Sequence, residues 1–180
     1  MSERENATGW VADTVRALEA TGVDTVAYLP DTGLDPLIER LEADDGFRTT
    51  LVTREEAAVG VLVGAWLGGS AGALLCQSSG LANSLNAVAS LSLPARVPFV
   101  GIVLRRGNLG EFNIAQVPGG YGLDRVLDDL GVRNAVVDEA DRVGETVQLA
   151  SETAFSTQSP YVVLVEQTIP GRKAETEVQQ

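Results

Sequence analysis

The segment TREEAAVGVLVGAWLGG (residues 53–69) decides the fold, because it joins a strand-like run to a helix-like one. The apolar run at 49–53 predicts a buried strand, and two acidic residues then open an apolar helix that contains glycines. No charged residue follows Glu56 until Arg96. Glu55 is therefore predicted to lie where a strand passes into a helix N-terminus, with apolar sequence behind it.

Strand and helix patterns alternate on both sides of this segment. The pattern predicts strands at 26–29, 48–53, 73–76, 97–104, 135–137 and 161–165, and helices at 8–20, 35–43, from 55 onward, 80–92, 123–130 and 139–157. A long loop rich in Gly, Asn and Pro is predicted at 105–120. The alternation predicts a three-layer α/β fold, in which helices cover both faces of a parallel sheet of about six strands. We expect one domain at 1–166 and a flexible tail at 167–180.

The balance of charged residues in the chain indicates which partners it can bind and which environment it suits. The net charge of −12 argues against nucleic-acid binding, which needs a basic surface. Lys173 is the one lysine, against twelve arginines and twenty-five acidic residues. This bias is typical of a salt-adapted (halophilic) protein, although a GC-rich genome combined with an acidic surface would produce a similar composition.

The cysteine and histidine content of the chain argues against several kinds of catalytic and metal site. The chain has one cysteine and no histidine, so zinc sites and histidine-based triads lack their usual groups. A lone cysteine suits a reducing cytoplasm, and the N-terminus has no signal-peptide pattern. The uncharged span at 57–95 is interrupted by glycines and amides, which favours buried elements over a membrane helix.

Glu55 has two interpretations from the residues alone. An acid in the first turn of a helix is stabilised by the helix dipole, by about 0.3–1 kcal/mol, and Glu56 could be only that. A functional Glu55 would instead face an apolar cleft, where desolvation suits a carboxyl group to proton transfer.

Glycines recur at every fourth position along the same helix, at Gly60, Gly64 and Gly68. A glycine inside a helix costs about 1 kcal/mol relative to alanine, so three on one side imply a close approach of other backbone. Either the helix packs closely on its own sheet, or this side meets a helix of another subunit.

Other polar residues follow the predicted strands, where parallel sheets bind ligands. The turn at 77–83 could bind an anion or a heterocycle through free amides, or could simply be a capped turn. Arg105 and Arg106 could receive a carboxylate, sulfonate or phosphonate, or could be surface charges. Asp31 could cap a turn, and Cys76 is predicted to be a small buried residue.

Together these segments resemble the pyrimidine-binding (PYR) domain of thiamine-diphosphate-dependent enzymes. More narrowly, they are similar to the family of sulfopyruvate decarboxylase alpha subunits, with phosphonopyruvate decarboxylases as relatives. The resemblance covers residues 8–165 and rests on LPDTGLDPLIERL (29–41), the segment 53–69, LLCQSSGLANSLNAVASL (74–91), VPFVGIVLRRG (97–107) and AQVPGG (115–120).

The resemblance implies roles for particular residues. In that family a glutamate at the position of Glu55 hydrogen-bonds N1′ of the aminopyrimidine and drives the ring to its imino tautomer, which takes the proton from C2 of the thiazolium. The family has small residues three and nine positions later, here Ala58 and Gly64, which favours Glu55 over Glu56 as the catalytic residue. The positions that match the cofactor turn are Ser79, Gly80 and Asn83, and those that match the substrate loops are Asp31, Arg106 and Gln116.

The resemblance further implies a lyase that acts with thiamine diphosphate, most simply converting sulfopyruvate to sulfoacetaldehyde and CO₂, as in coenzyme M biosynthesis. Phosphonopyruvate or another 2-oxo acid as substrate, and a non-catalytic module of PYR type, are the alternatives. The chain has no Gly-Asp-Gly motif followed by Asn, the pattern that binds Mg²⁺ and the diphosphate. The resemblance therefore implies a hetero-oligomer, whose diphosphate-binding (PP) beta subunit holds the metal.

Overall fold

The computed structural model describes residues 3–170, with side chains from residue 9. The strands are β1 (Val23–Tyr28), β2 (Arg48–Leu51), β3 (Ala71–Gln77), β4 (Val100–Arg105), β5 (Arg133–Val137) and β6 (Tyr161–Glu166). The helices are α1 (Glu3–Ala20), α2 (Asp35–Glu42), α3 (Glu55–Leu67), α4 (Ser78–Ala87), α5 (Leu93–Ala95), α6 (Val117–Tyr121), α7 (Leu123–Leu130) and α8 (Val143–Thr157).

The strands form one parallel sheet in the order β2-β1-β3-β4-β6-β5. The central strands β3 and β4 are almost entirely buried, which explains why their sequences are continuously apolar rather than alternating. The chain goes outward from β1 to β2 and then returns to β3 on the other side of β1. The topological switch point, where ligands of such sheets bind, therefore lies between β1 and β3.

Helices cover both faces of the sheet, so the predicted three-layer α/β fold is confirmed. Helices α1, α2 and α8 pack on one face through a core that includes Trp10, Leu37 and Val147. Helices α3, α4 and α7 pack on the other face through a core that includes Leu62, Leu81 and Leu127.

The strand before Glu55 differs from the prediction. A buried strand was expected at 49–53, but β2 ends at Leu51 and forms the edge of the sheet. Because β2 has a single neighbour, β1, its residues are half-buried or exposed, and Leu51 is 61% exposed. Glu55 thus follows an edge strand at the margin of the sheet.

The glycines of α3 face away from the sheet. The sheet-facing side of the helix consists of Ala58, Val59, Leu62 and Val63, whereas Gly60 and Gly64 are exposed. A methyl group added at Gly60 or Gly64 would meet nothing within 4 Å. The interpretation in which these two glycines pack closely on the chain's own sheet is therefore wrong.

Two regions, a predicted helix and a predicted loop, differ in detail from the prediction. The helix predicted at 80–92 begins at Ser78 and continues beyond Ala87 as a π-helical turn, Val88–Ser92. The predicted loop at 105–120 contains a 3₁₀ turn, Ile114–Gln116, and the start of α6.

The end of the described chain remains packed beyond β6. Ile169 is buried in the core on the α1 face, and its N–H donates to the carbonyl of Glu166 (3.0 Å). The rest of the predicted tail, 171–180, lies outside the described residues. Within 3–170, no helix is both long and apolar enough to cross a membrane.

Candidate active site

Four connections at the carboxyl edge of the sheet carry the predicted site residues. Asp31 follows β1, Glu55 follows β2, the turn into α4 follows β3, and Arg106 follows β4. Because β1, β3 and β4 are neighbours in the sheet, their ends bring these residues to one place beside the switch point.

Glu55 is the first residue of α3, and its carboxylate packs against Gly80 of α4. A methyl group added at Gly80 would lie 2.6 Å from Cδ and 2.7 Å from Cγ of Glu55, which is much closer than van der Waals contact. The absence of a side chain at Gly80 is therefore what lets the carboxylate lie over the first turn of α4.

Glu56 lies in a different environment. Its side chain is 44% exposed and pairs with Arg54 at 2.9 Å, next to solvent. The two acids that open α3 therefore differ in their contacts: Glu55 is half-buried against α4, and Glu56 is a surface charge in the first helical turn.

Cys76 lies in the core below the site. The thiol is fully buried, as predicted, and burial raises its pKa. The carboxylates of Glu55 and Asp31 raise this pKa further, because a thiolate would be repelled by both. Cys76 thus lies near both carboxylates, although they follow different strands.

Arg106 and Asp31 come together in a mostly buried cluster. Their side chains are 9% and 8% exposed, and 4.0 Å separates Arg106 Nη1 from Asp31 Oδ2. The other carboxylate oxygen of Asp31 accepts a hydrogen bond from the N–H of Gly33 (3.0 Å), so Asp31 also caps its own turn.

Glu111 forms a second ion pair with Arg106. Arg106 donates from Nε to Oε2 (2.8 Å) and from Nη2 to Oε1 (3.0 Å), a bidentate geometry. The hydrogen bonds from Arg106 lower the pKa of Glu111 to about 2. Neither arginine of the pair at 105–106 is a free surface charge.

Arg105 has structural partners instead. It donates from Nη1 to Glu166 (2.9 Å) and from Nη2 to the carbonyl of Tyr121 (2.7 Å). Asn108 also donates to Glu166 (2.8 Å). Arg105 therefore joins β4, β6 and the end of α6, and its charge is compensated inside the protein.

Ser78 links the start of α4 to the Arg106 loop. Its hydroxyl accepts a hydrogen bond from the backbone N–H of Arg106 (3.1 Å). Gly120 packs on the same point, where an added methyl group would lie 3.0 Å from Ser78 Oγ and 2.5 Å from the carbonyl carbon of Arg106. The loop between β4 and α6 is thus folded back on the end of its own strand.

The remaining predicted residues lie around this cluster. Ser79 is half-buried in the first turn of α4, whereas Asn83, one turn later, is exposed, and its side chain makes no hydrogen bond with the described residues. Gln116 Oε1 and Gln77 Oε1 are buried without a partner in the part of the chain that the structure describes. Unpaired buried amide oxygens are costly, so each is available to a ligand donor.

Sequence reasoning missed Ser78 and Glu111. A serine directly after a strand resembles any helix-capping residue. Its hydrogen bond to Arg106 could be recognised only once the fold had brought the two residues together. Glu111 lies in a loop rich in Gly and Asn, where an acid ordinarily points to solvent. The one signal in the sequence was that Glu111 follows Arg106 by five residues. In an irregular loop, such a spacing does not predict that two side chains are in contact.

Comparison with known proteins identifies the family. Residues 11–111 match the family described as thiamine pyrophosphate enzyme, N-terminal TPP binding domain. The chain is 34% identical over 151 residues to sulfopyruvate decarboxylase subunit alpha of Methanococcus maripaludis, covering 84% of this chain and 90% of that one. It is 31% identical over 148 residues to the protein of the same name in Methanocaldococcus jannaschii, covering 82% and 88%.

A second group of relatives is longer. Phosphonopyruvate decarboxylase of Streptomyces viridochromogenes is 43% identical over 119 residues, which cover 66% of this chain and 29% of that protein. The chain thus spans less than a third of this longer relative but nearly all of the alpha subunits. It belongs to the thiamine pyrophosphate enzymes, in the group that contains the alpha subunits of sulfopyruvate decarboxylase.

Proposed function

We propose that this chain is the pyrimidine-binding subunit of a two-chain, thiamine-diphosphate-dependent decarboxylase of acidic 2-oxo acids, with sulfopyruvate as its substrate. The observation that carries the proposal is the placement of Glu55: its carboxylate lies against Gly80 at the carboxyl edge of the sheet, in a family that binds thiamine diphosphate.

The residues present fit the pyrimidine half of this cofactor. Gly80 leaves room for the Glu55 carboxylate over the first turn of α4, and the buried amide oxygen of Gln77, the residue before α4, lacks a partner within the described chain. An aminopyrimidine offers a ring nitrogen to a carboxyl group and an amino group to an acceptor oxygen. Glu55, Ser79, Gly80 and Asn83 are the residues we assign to the pyrimidine.

The cofactor supplies the electron sink that the loss of CO₂ from a 2-oxo acid requires. Glu55 would hold a proton at the carboxyl oxygen that faces N1′ of the pyrimidine, and would exchange it with that nitrogen. The apolar residues of α3 that follow Glu55, covered by the partner subunit, would limit the access of water to this proton. In the overall reaction the bond between the carboxylate and the carbonyl carbon breaks, CO₂ leaves, and a proton takes its place.

The acidic end of the substrate would be recognised by Arg106, with Gln116 and Asp31 beside it. Arg106 lies 9% exposed at the end of β4, where a partly dry environment strengthens its attraction for a sulfonate. Phosphonopyruvate is the second candidate substrate, because the 43% identical relative is named for it.

A partner subunit would complete the site. The sequence lacks the Gly-Asp-Gly motif, so we assign Mg²⁺ and the diphosphate to a PP-domain beta subunit. The uncharged face of α3 and α4, whose exposed residues include Ala57, Gly60, Gly64, Leu67, Asn83 and Asn86, supports this assignment. Its two glycines would allow a helix of the partner to approach closely.

Co-expression with a candidate beta subunit that carries Gly-Asp-Gly tests the proposal. With thiamine diphosphate and Mg²⁺, we expect the complex to release CO₂ from sulfopyruvate, more slowly from phosphonopyruvate, and least from pyruvate. Glu55→Gln should abolish turnover and leave assembly intact, whereas Glu56→Gln, the matched surface control, should retain it.

Three outcomes would contradict particular parts of the proposal. Full turnover by Glu55→Gln would remove Glu55 from the proton relay. Turnover by this chain alone would remove the need for a partner. A complex that assembles but releases no CO₂ from any of the three substrates would favour a non-catalytic binding module.

A further inference from the structure

We infer that Glu111 is a positioning residue for substrate recognition: it fixes Arg106 so that the edge of the guanidinium group on the side of Asp31 binds the acidic end of the substrate. The choice of a sulfonate as that acidic group rests on the proposed function. The geometry of the three side chains is independent of it.

Glu111 is surrounded by hydrogen-bond donors. Its side chain is 1% exposed, and its two oxygens accept five hydrogen bonds. Two come from Arg106, and three come from the backbone N–H groups of Gly107 (3.1 Å), Phe112 (3.1 Å) and Asn113 (2.9 Å). The loop after β4 is therefore wrapped around this one carboxylate, and the carboxylate has a fixed orientation.

The pairing determines which part of Arg106 stays available. Glu111 occupies the edge formed by Nε and Nη2, which is one of the two edges that can bind a carboxylate or sulfonate with two hydrogen bonds. The other edge, formed by Nη1 and the second N–H of Nη2, faces Asp31 at 4.0 Å. That distance is an ion-pair contact but is too long for a hydrogen bond, so Nη1 attracts Asp31 without donating a hydrogen bond to it.

Arg106 is also fixed through its backbone, because its N–H donates to Ser78 Oγ at the start of α4 (3.1 Å). An arginine that is held both at its backbone and at its guanidinium group loses little conformational freedom when it binds an anion. Such a group also selects for the direction from which the anion approaches. Arg106 supplies the attractive charge, and Glu111 supplies its orientation.

The test measures anion binding to the full chain and does not depend on turnover. Sulfoacetate, which is stable and carries a sulfonate, is the probe, and acetate is the comparator without the second anionic group. We expect wild type to bind sulfoacetate more tightly than acetate. Glu111→Gln should weaken sulfoacetate binding roughly ten- to a hundredfold, and Glu111→Asp should weaken it less. Glu39→Gln, an exposed acid on α2, is the charge-matched control and should leave binding unchanged.

An NMR signature separates positioning from general destabilisation. In wild type the Nε–H signal of Arg106 should be protected from solvent exchange, and it should be lost in Glu111→Gln while circular dichroism reports an intact fold. Sulfoacetate should shift the Nη signals and leave the Nε–H signal in place.

Equal sulfoacetate affinity of wild type and Glu111→Gln would overturn the inference, as would sulfoacetate that fails to bind wild type. A shift of the Nε–H signal on titration would also overturn it, since the anion would then displace Glu111. A two-chain complex that releases no CO₂, combined with the expected binding results, would instead contradict the proposed function and leave the assignment of Glu111 in place.

Discussion

Replacing Gly80 with alanine should separate the stability of this protein from its activity. The three atoms nearest to an added methyl group all belong to the Glu55 side chain. The nearest obstacle to the substitution is therefore a side chain that can move, rather than backbone. The fold can therefore accept the methyl group if the Glu55 side chain moves, and the function we propose does not allow Glu55 to move.

The size of the effect follows from the geometry. Cδ of Glu55 would lie 2.6 Å from the new methyl carbon, so the carboxyl group must retreat by about 1 Å to reach ordinary contact. A misplacement of about 1 Å can reduce turnover about 100-fold, equivalent to about 2.7 kcal/mol in the activation barrier. In the opposite direction, alanine stabilises a helix relative to glycine by about 0.5–1 kcal/mol.

The assay compares the melting temperature of the chain with the turnover number of the two-chain complex. We expect Gly80→Ala to melt at the same temperature or a few degrees higher, and to lose about 99% of its turnover. Gly9→Ala is the matched control, because Gly9 lies in α1 with nothing within 4 Å of an added methyl group. Turnover in Gly80→Ala equal to that of Gly9→Ala would refute the assignment of Glu55 and Gly80 to the site.

Three further substitutions test the ion pairs and the uncharged face. Arg105→Leu removes the arginine that pairs with the buried Glu166 and leaves this carboxylate only the neutral donor Asn108 among the hydrogen bonds described above, so it should lower the free energy of unfolding by about 3–5 kcal/mol in a urea titration; a loss below 1 kcal/mol would contradict the burial of this pair. Glu111 has its pKa lowered to about 2, so wild type should lose about 3 kcal/mol as the pH falls from 4.5 to 2, and Glu111→Gln should show a shallower acid-unfolding profile in that window. Gly64→Leu should leave the melting temperature of the chain within a few degrees of wild type but prevent association with the beta subunit in size-exclusion chromatography; a stable complex would place the partner elsewhere.

Much of the fold could be predicted from the sequence because its elements have strong periodic signals. The helix predicted at 123–130 matches α7, where Gly131 ends the helix with a left-handed conformation. The apolar run at 97–104 predicted β4, although the strand begins only at Val100. The edge position of β2 could not be predicted, because strand order depends on how helices pack on the two faces.

The site was predictable only in part, for a related reason. Residues that follow strands are expected at the carboxyl edge of the sheet, which placed Asp31, Glu55, Gly80 and Arg106 in one region. Which acid pairs with Arg106 depends on an irregular loop, and no periodicity describes such a loop. The roles of the site residues, the cytoplasmic location and the salt adaptation stay predictions.

The distribution of charge along the chain has a consequence for the conditions under which assembly persists. The uncharged face of α3 and α4 belongs to a stretch with no charged residue between Glu56 and Arg96, in a chain whose net charge is −12. Raised ionic strength screens the charge of this acidic chain and weakens interfaces built on exposed ion pairs. It does not weaken apolar contact, and salts such as sulfate strengthen it. Two subunits that meet through this face would therefore bind more tightly as salt increases, and dilution of the salt would be what separates them.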